Sequence, residues 1–293
     1  MNAVETIALT KYYGKARGIE DVSFTVEQGQ FFGFIGPNGA GKSTTIRTLL
    51  GLIAPTSGQA SVLGMDIRTD QNEILKRIGY LPGEANFYNG MRVRDVLALS
   101  ANLRGVDCTV RAKELCERLS LDPTRRVEQL SLGNRKKVGI VCALQHDPEL
   151  YIFDEPTSGL DPLMQREFYE ILRERNAQGA TVFLSSHILS EVERYCTHAA
   201  VIREGKILLS DSVSKLGHAG AKRVTLRGAT AIDPVEGVRD CRVVNDGVTF
   251  LYSGDLHKLL HHLGDVPFED IVITDPVLEE VFLHFYKKEG DAQ

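Results

Sequence analysis

Residues Gly36-Pro37-Asn38-Gly39-Ala40-Gly41-Lys42-Ser43-Thr44 carry the spacing G-x-x-x-x-G-K-[ST]. An apolar run, Phe31–Gly36, leads into them, and a segment with helical periodicity follows from Lys42. Each fixed position has a chemical reason. Glycines let successive backbone N–H groups turn inward around phosphate oxygens. A helix beginning near Gly41 would aim its positive end at the same anion. Lys42 is placed to reach the β- and γ-phosphates, and the Ser43 hydroxyl to ligate Mg²⁺. A glycine-rich turn that binds nothing is the competing reading, and the strand–loop–helix setting argues against it. The segment is expected to hold the phosphates of ATP together with Mg²⁺.

A second constellation lies downstream. Tyr151-Ile152-Phe153-Asp154-Glu155-Pro156 is an apolar strand ending in two carboxylates. Asp154 would assist Mg²⁺, and Glu155 would polarise a water attacking the γ-phosphate. Alone, an Asp-Glu pair after a strand is also an ordinary solvated turn. The order of further motifs strengthens the case. Leu130-Ser131-Leu132-Gly133-Asn134 precedes this strand, Ser158-Gly159-Leu160-Asp161 follows it, and Ser185-Ser186-His187 comes next.

With these motifs in this order, about the first 215 residues resemble the ATP-binding-cassette (ABC) ATPases. The resemblance implies a role for each residue. Tyr13 would stack on adenine, in preference to Tyr12, and Gly36 to Thr44 would cradle the phosphates. Asp154 and Ser43 would hold Mg²⁺, Glu155 would act as general base, and His187 would touch the γ-phosphate and orient the water. Asp161 belongs to a loop that contacts the opposite subunit. Ser131, Gly133 and Asn134 belong to the signature segment, which meets the γ-phosphate held by a second subunit. Two ATP molecules would thus be sandwiched in a head-to-tail dimer. Ser131 and Gly133 sit where a helix should begin, and a helix N-terminus is itself an anion site. The adjacent Arg135-Lys136-Lys137 reads as a solvated basic face.

Two departures from the family pattern stand out. The signature reads LSLGN where the family usually has LSGGQ, so Leu132 replaces a glycine and Asn134 a glutamine. The family also carries a glutamine after a short strand, ligating Mg²⁺ and sensing the membrane subunit. Here Ile78-Gly79-Tyr80-Leu81-Pro82 is followed by Gly83-Glu84. Gly83 has no side chain to offer, which leaves Glu84 as a candidate for Mg²⁺ or for the water network, against the simpler reading of a surface carboxylate in a turn.

The elements that must position these residues alternate between strand and helix. Phe31–Gly36, Leu150–Asp154, Thr181–Ser185 and Ala199–Ile202 read as buried parallel strands, and Lys42–Leu52, Pro162–Gln178 and Ile188–Tyr195 as helices. The fold class is therefore α/β, a P-loop NTPase-type core of the ABC ATPase kind. Val93–Arg104, Val110–Leu119 and Leu132–His146 read as helices, giving an inserted helical subdomain at about 85–146. The core is expected to span residues 1–216. Leu216–Gly220 reads as a flexible linker, and 217–293 as an accessory α+β domain with strands at Arg223–Arg227, Val248–Tyr252 and Asp270–Thr274. Its helices are expected at Asp255–Leu263 and, begun by Pro276, at Leu278–Tyr286.

Composition narrows the function classes. A net charge of −5 argues against generic nucleic-acid binding, so no nucleic-acid partner is expected. No apolar run is long enough to span a bilayer, and the first residues, MNAVETIALTKYYGK, do not read as a signal peptide. The five cysteines lack Cys-x-x-Cys spacing and read as reduced, mostly core residues. His257 and His261 stand at i, i+4 with His262 beside them, and an exposed helix face is preferred to a metal pair. The expected function is the ATP-hydrolysing subunit of an ABC transporter, with export the direction that the accessory domain and the Gly79–Glu84 segment suggest. It would pair with a second ATPase subunit, as homodimer or heterodimer, and with a separately encoded integral membrane permease. It would lie on the cytoplasmic face of the membrane through that permease. The alternatives are a soluble ABC ATPase acting on ribosomes or DNA, and a regulatory module without turnover.

Overall fold

The computed structural model describes residues 1–217, 221–232, 235–264 and 266–274. The elements run in order. β1 (Asn2–Tyr13) and β2 (Ala16–Glu27) are followed by β3 (Phe31–Ile35) and α1 (Lys42–Leu49). Next come β4 (Ser57–Val62), β5 (Met65–Asp66), α2 (Gln71–Arg77) and β6 (Ile78–Leu81). A helical insertion of α3 (Val93–Arg104), α4 (Thr109–Arg118) and α5 (Leu132–Leu144) leads to β7 (Leu150–Asp154). Then follow α6 (Pro162–Ala177), β8 (Thr181–Ser186), α7 (Leu189–Tyr195), β9 (His198–Arg203), β10 (Lys206–Ser212) and the short α8 (Val213–Gly217). The remaining elements are β11 (Ala221–Arg227), β12 (Val238–Val244), β13 (Gly247–Ser253), α9 (Leu256–Leu263) and β14 (Asp270–Thr274).

Contacts divide the chain into two units, Met1–Asp211 and Ser212–Gln293. The expected boundary at 216/217 therefore moves forward, because Val213–Gly217 is helical and Leu216 is buried. The rest of the expected linker, His218–Gly220, lies outside the described residues, as does the helix expected at Leu278–Tyr286.

In the first unit a six-stranded sheet has the order β10-β9-β3-β8-β7-β6. β9, β3, β8, β7 and β6 are parallel. Their residues are almost all buried because helices cover the sheet, which is why these strands read as unbroken apolar runs. A second sheet, β2-β1-β4-β5, is antiparallel. Phe24 of that sheet packs with Phe32, Phe34 and Phe183 of the first, at ring-centroid separations of 5.3–6.0 Å. Ile46 and Leu49 of α1 belong to the same core.

The antiparallel sheet has no counterpart in the sequence reading. Ala8 and Asp21 have positive φ, and the β1–β2 register slips at several points along the hairpin. Bulges of this kind destroy the two-residue alternation by which a half-buried strand is recognised. The second unit has an antiparallel sheet, β12-β13-β11-β14, packed against α9 through Val224, Leu226, Phe250, Leu259 and Leu263. β12, with five of its seven residues exposed or nearly so toward one end, also went unrecognised in the sequence.

Candidate functional site

The topology brings three motifs to one edge. β8 lies between β3 and β7, pairing Ile35 with Ser186 and Asp154 with Ser185. The segments that leave the carboxyl ends of these three strands, at Gly36, Glu155 and His187, therefore converge, as ligand sites do in parallel α/β sheets.

The loop after β3 is shaped by glycine. Gly39 and Gly41 have φ of 80° and 108°. A Cβ on Gly36 would meet the Ile202 carbonyl oxygen at 2.3 Å, so backbone from β9 excludes any side chain there. Lys42 is buried, and its Nζ donates to the carbonyls of Gly36 (2.7 Å) and Pro37 (3.1 Å). The loop and its surroundings enclose a cavity of about 260 Å³, lined by Tyr13, Arg17, Gly18, Pro37, Asn38, Gly39, Gly41, Lys42, Ser43, Thr44 and Glu155. Tyr13 reaches this cavity from the end of β1 and is half exposed, as a ring that stacks on an incoming base must be. A larger cavity, about 960 Å³, lies in the helical insertion and is lined by none of the motif residues.

The two carboxylates after β7 are held differently. Asp154 is 2% exposed, and Ser185 Oγ donates to its Oδ1 at 2.7 Å. The same Ser185 oxygen accepts from the Glu155 backbone N–H at 3.1 Å. Glu155 has φ of 50°, a strained conformation for a side-chain-bearing residue, at a cost on the order of 1–2 kcal/mol. That turn aims its carboxylate toward the cavity. Its Oε2 lies 2.6 Å from His187 Nδ1, and because a carboxylate only accepts, the ring proton resides on Nδ1. Its Oε1 stands 3.1 Å from Lys42 Nζ, an ion pair by distance. Two of the three Lys42 protons go to the loop carbonyls, and apart from this ion pair the buried oxygen has no hydrogen bond. A carboxylate held by a lysine and a histidine beside a phosphate loop is chemically suited to accept the proton of a water. Ser186 Oγ accepts from Ile188 N and donates to Glu191, which holds the turn that carries His187.

The signature segment starts a helix, as the sequence suggested. Ser131 is the N-cap of α5, and its Oγ accepts from Asn134 N at 3.3 Å. A Cβ on Gly133 would meet the Gly159 carbonyl oxygen at 2.6 Å, so the start of α5 packs directly on the Ser158–Asp161 loop. Asp161 caps α6 by accepting from Met164 N at 3.0 Å. Leu132, which takes the place of a glycine, is exposed. Ser131, Gly133 and Asn134 do not line the cavity of their own chain.

One expectation changes, and one open alternative narrows. Arg135-Lys136-Lys137 is not a solvated basic face: Arg135 is exposed, but Lys136 and Lys137 are 4% and 8% exposed because α5 turns them against the neighbouring loop and core. Glu84 is exposed, does not line the cavity, and has no hydrogen bond or ion pair among the described residues. Arg17, Gly18 and Ser185, given no role from the sequence, belong to the site or hold it; they are brought there by a hairpin and by a strand neighbour that no local motif marks. His257, His261 and His262 are exposed on α9, as expected, and no group of three metal-ligating side chains occurs among the described residues. The five cysteines are free; Cys108, Cys116 and Cys196 are buried, and burial pushes the Cys116 thiol up to about 11.

Comparison with known proteins decides the family. The ABC transporter family model matches residues 19–158. The bacitracin transport ATP-binding protein BcrA of Bacillus licheniformis is 36% identical over 96% of each chain. The chain belongs to the ABC transporter ATP-binding proteins. A further relative, the Nod factor export ATP-binding protein I of Rhizobium sp. (strain N33), is 33% identical over 98% of each chain. A solved ATP-binding subunit of an ABC transporter is 32% identical, with a TM-score of 0.70 over 74% of this chain and 92% of that one. A dimeric bacterial ABC transporter cassette at 23% identity and TM-score 0.66 shares the fold. Among the described residues of this ATP-binding protein, no helix is long and apolar enough to cross a membrane.

Proposed function

We propose that this ABC protein hydrolyses ATP to drive export through a separately encoded membrane permease, to which it docks at the membrane's cytoplasmic face. The observation that carries the hydrolytic part is the Glu155 carboxylate. It is bonded to His187 through one oxygen, paired with Lys42 through the other, and directed by a strained backbone at the phosphate loop. In this reading the N–H groups of Gly36–Thr44 and Lys42 bind the phosphates, and Tyr13 stacks on adenine. Glu155 accepts the proton of the attacking water, while His187 orients that water and touches the γ-phosphate. Arg17 adds positive charge at the mouth of the cavity, its side chain partly exposed and paired with Glu204.

Hard oxygen donors suit Mg²⁺, and the Ser43 hydroxyl and the buried, Ser185-anchored Asp154 supply them. The ion, when bound, would neutralise charge on the phosphate oxygens. Ser131, Gly133 and Asn134 do not line their own cavity, and so require a second cassette to be of use to a nucleotide. A head-to-tail dimer meets that requirement. The export direction is supported by the relative whose name includes Nod factor export, aligned over nearly its whole length.

The test is Glu155→Gln. This variant should bind ATP within about twofold of wild type and hydrolyse it at least ~10²-fold more slowly, the usual range for a general base. Wild-type turnover in the variant would refute the assignment.

A further inference from the structure

The family's glutamine after β6 is missing, yet position 83 still faces the chemistry: a Cβ on Gly83 would sit 3.6 Å from Asp154 Oδ2. What fixes this loop is a residue from another element. Lys136, on α5, donates from Nζ to the Gly83 carbonyl at 2.8 Å and lies 3.4 Å from that of Pro82. A buried ammonium is costly unless its protons are used, and these two carbonyls use them. Burial pushes the Lys136 ammonium downward, while the carboxylates of Asp154 and Glu155 push it back up, so its charge is felt by both.

The same face of α5 presses on this loop one turn later. A Cβ on Gly139 would meet Leu81 Cδ1 at 2.6 Å and Ala85 Cβ at 3.3 Å. The helix that begins at the signature Ser131 is thus fastened to residues 81–85 through Lys136 and Gly139. Five residues of α-helix span only about 7–8 Å, and a helix moves as a rigid rod over that distance.

We propose that Lys136 is a positioning residue that makes good the missing side chain at position 83, by tying α5 to the Pro82–Gly83 loop beside Asp154. The tie joins the end of α5 that meets the partner's nucleotide to the carboxylate serving the chain's own nucleotide. Glu84, exposed and outside the cavity, is not in a position to do this. The inference rests on the hydrolytic reading above only for its effect on turnover; the tie itself is read independently.

The experiment compares wild type with Lys136→Met, which keeps the aliphatic stem and loses the donors, with Lys136→Arg, and with Lys136→Met combined with Gly83→Gln. A Cβ at position 83 meets only ordinary van der Waals contact, so the backbone there admits a side chain. Three quantities are measured: ATP affinity, kcat for hydrolysis, and hydrogen exchange of the amides of Leu81, Gly83 and Glu84. In Lys136→Met, ATP affinity should stay within about twofold, while kcat falls and loop exchange rises by at least ~10-fold, the range for outer-shell partners. Arg should restore kcat to within about threefold, and Gly83→Gln should recover at least about threefold of the loss, by supplying the side chain the loop lacks. If Lys136→Met does not fold, Lys136→Ala, which also loses the donors, takes its place. Wild-type kcat and wild-type exchange in the Met or Ala variant overturn the proposal. So does a kcat loss that neither Arg nor Gly83→Gln relieves. If the wild type itself does not hydrolyse ATP, the hydrolytic reading fails, and the exchange measurement alone decides whether the tie exists.

Discussion

Ser185→Ala removes one oxygen that serves both carboxylates of the site. Ser185 is wholly buried, and its Oγ donates 2.7 Å to Asp154 Oδ1 while accepting 3.1 Å from Glu155 N. The hydrogen bond to the carboxylate contributes about 2 kcal/mol, as bonds to charged groups do, and the bond from the N–H about 1 kcal/mol. No water replaces a hydroxyl oxygen at so enclosed a point without a cavity of its own size. The expected loss is therefore about 3 kcal/mol. For a unit of the size of Met1–Asp211 this lowers the melting temperature by roughly 6–12 °C. Asp154 also loses the contact that fixes its rotamer, so the Mg²⁺ concentration for half-maximal ATP hydrolysis should rise ~10-fold or more, with Glu155 slackened in parallel. Thermal unfolding followed by circular dichroism and a Mg²⁺ titration of ATPase activity measure the two effects. A variant melting within about 2 °C of wild type with an unchanged Mg²⁺ requirement would show that the Ser185 bridge holds neither carboxylate, since even one lost charged bond exceeds that shift.

Two further outcomes follow from local geometry. In Gly133→Ala the new Cβ must move about 0.5 Å or more off the Gly159 carbonyl, shifting the start of α5 against the Ser158–Asp161 loop. ATP binding by the isolated subunit should be unchanged, while ATP-dependent dimerisation and turnover fall at least ~10-fold; equilibrium binding beside sedimentation separates the two, and intact dimerisation would sink the packing argument. His146 gives a pH dependence. Its Nε2 donates to the Ile78 carbonyl at 3.0 Å, and burial, with Arg104 nearby, lowers its pKa to about 4. Between pH ~6.5 and ~4 the unfolded chain binds a proton that the folded chain refuses, so stability present at neutral pH is lost as the pH falls. Discounted for partial exposure, the loss is about 2 kcal/mol, and His146→Gln should flatten the urea-unfolding stability between pH 7 and pH 4.5 by that amount; an unaltered slope would count against it.

How legible the site was depends on where each contact partner lies in the chain. Gly36–Thr44, Asp154, Glu155 and His187 were readable because they stand in motifs of fixed residue type and spacing, and β3, β7 and β8 bring them to one edge of the sheet. Helices Val93–Arg104 and Leu132–Leu144 and the parallel strands were readable because one-sided or complete burial imprints a period on the chain. The β1–β2 hairpin was not, since its bulges interrupt that period. Its absence from the sequence reading also hid Arg17 and Gly18, which reach the phosphate loop only across the hairpin. Lys136 was misjudged for the same kind of reason: a cationic residue in a basic run looks solvated until the segment that buries it is known.

The sequence by itself located the glycine-rich loop, the two carboxylates, His187 and the helix-capping Ser131, because these depend on residue type and local spacing. Only the tertiary structure decided which groups meet each oxygen of Glu155, why Gly133 admits no side chain, and which residue holds the loop at Gly83. Those facts belong to pairs of residues far apart in the chain, Glu155 with Lys42, Gly133 with Gly159, and Lys136 with Gly83. A buried polar atom must find its partner wherever packing puts one, and that choice is made by the folded chain as a whole.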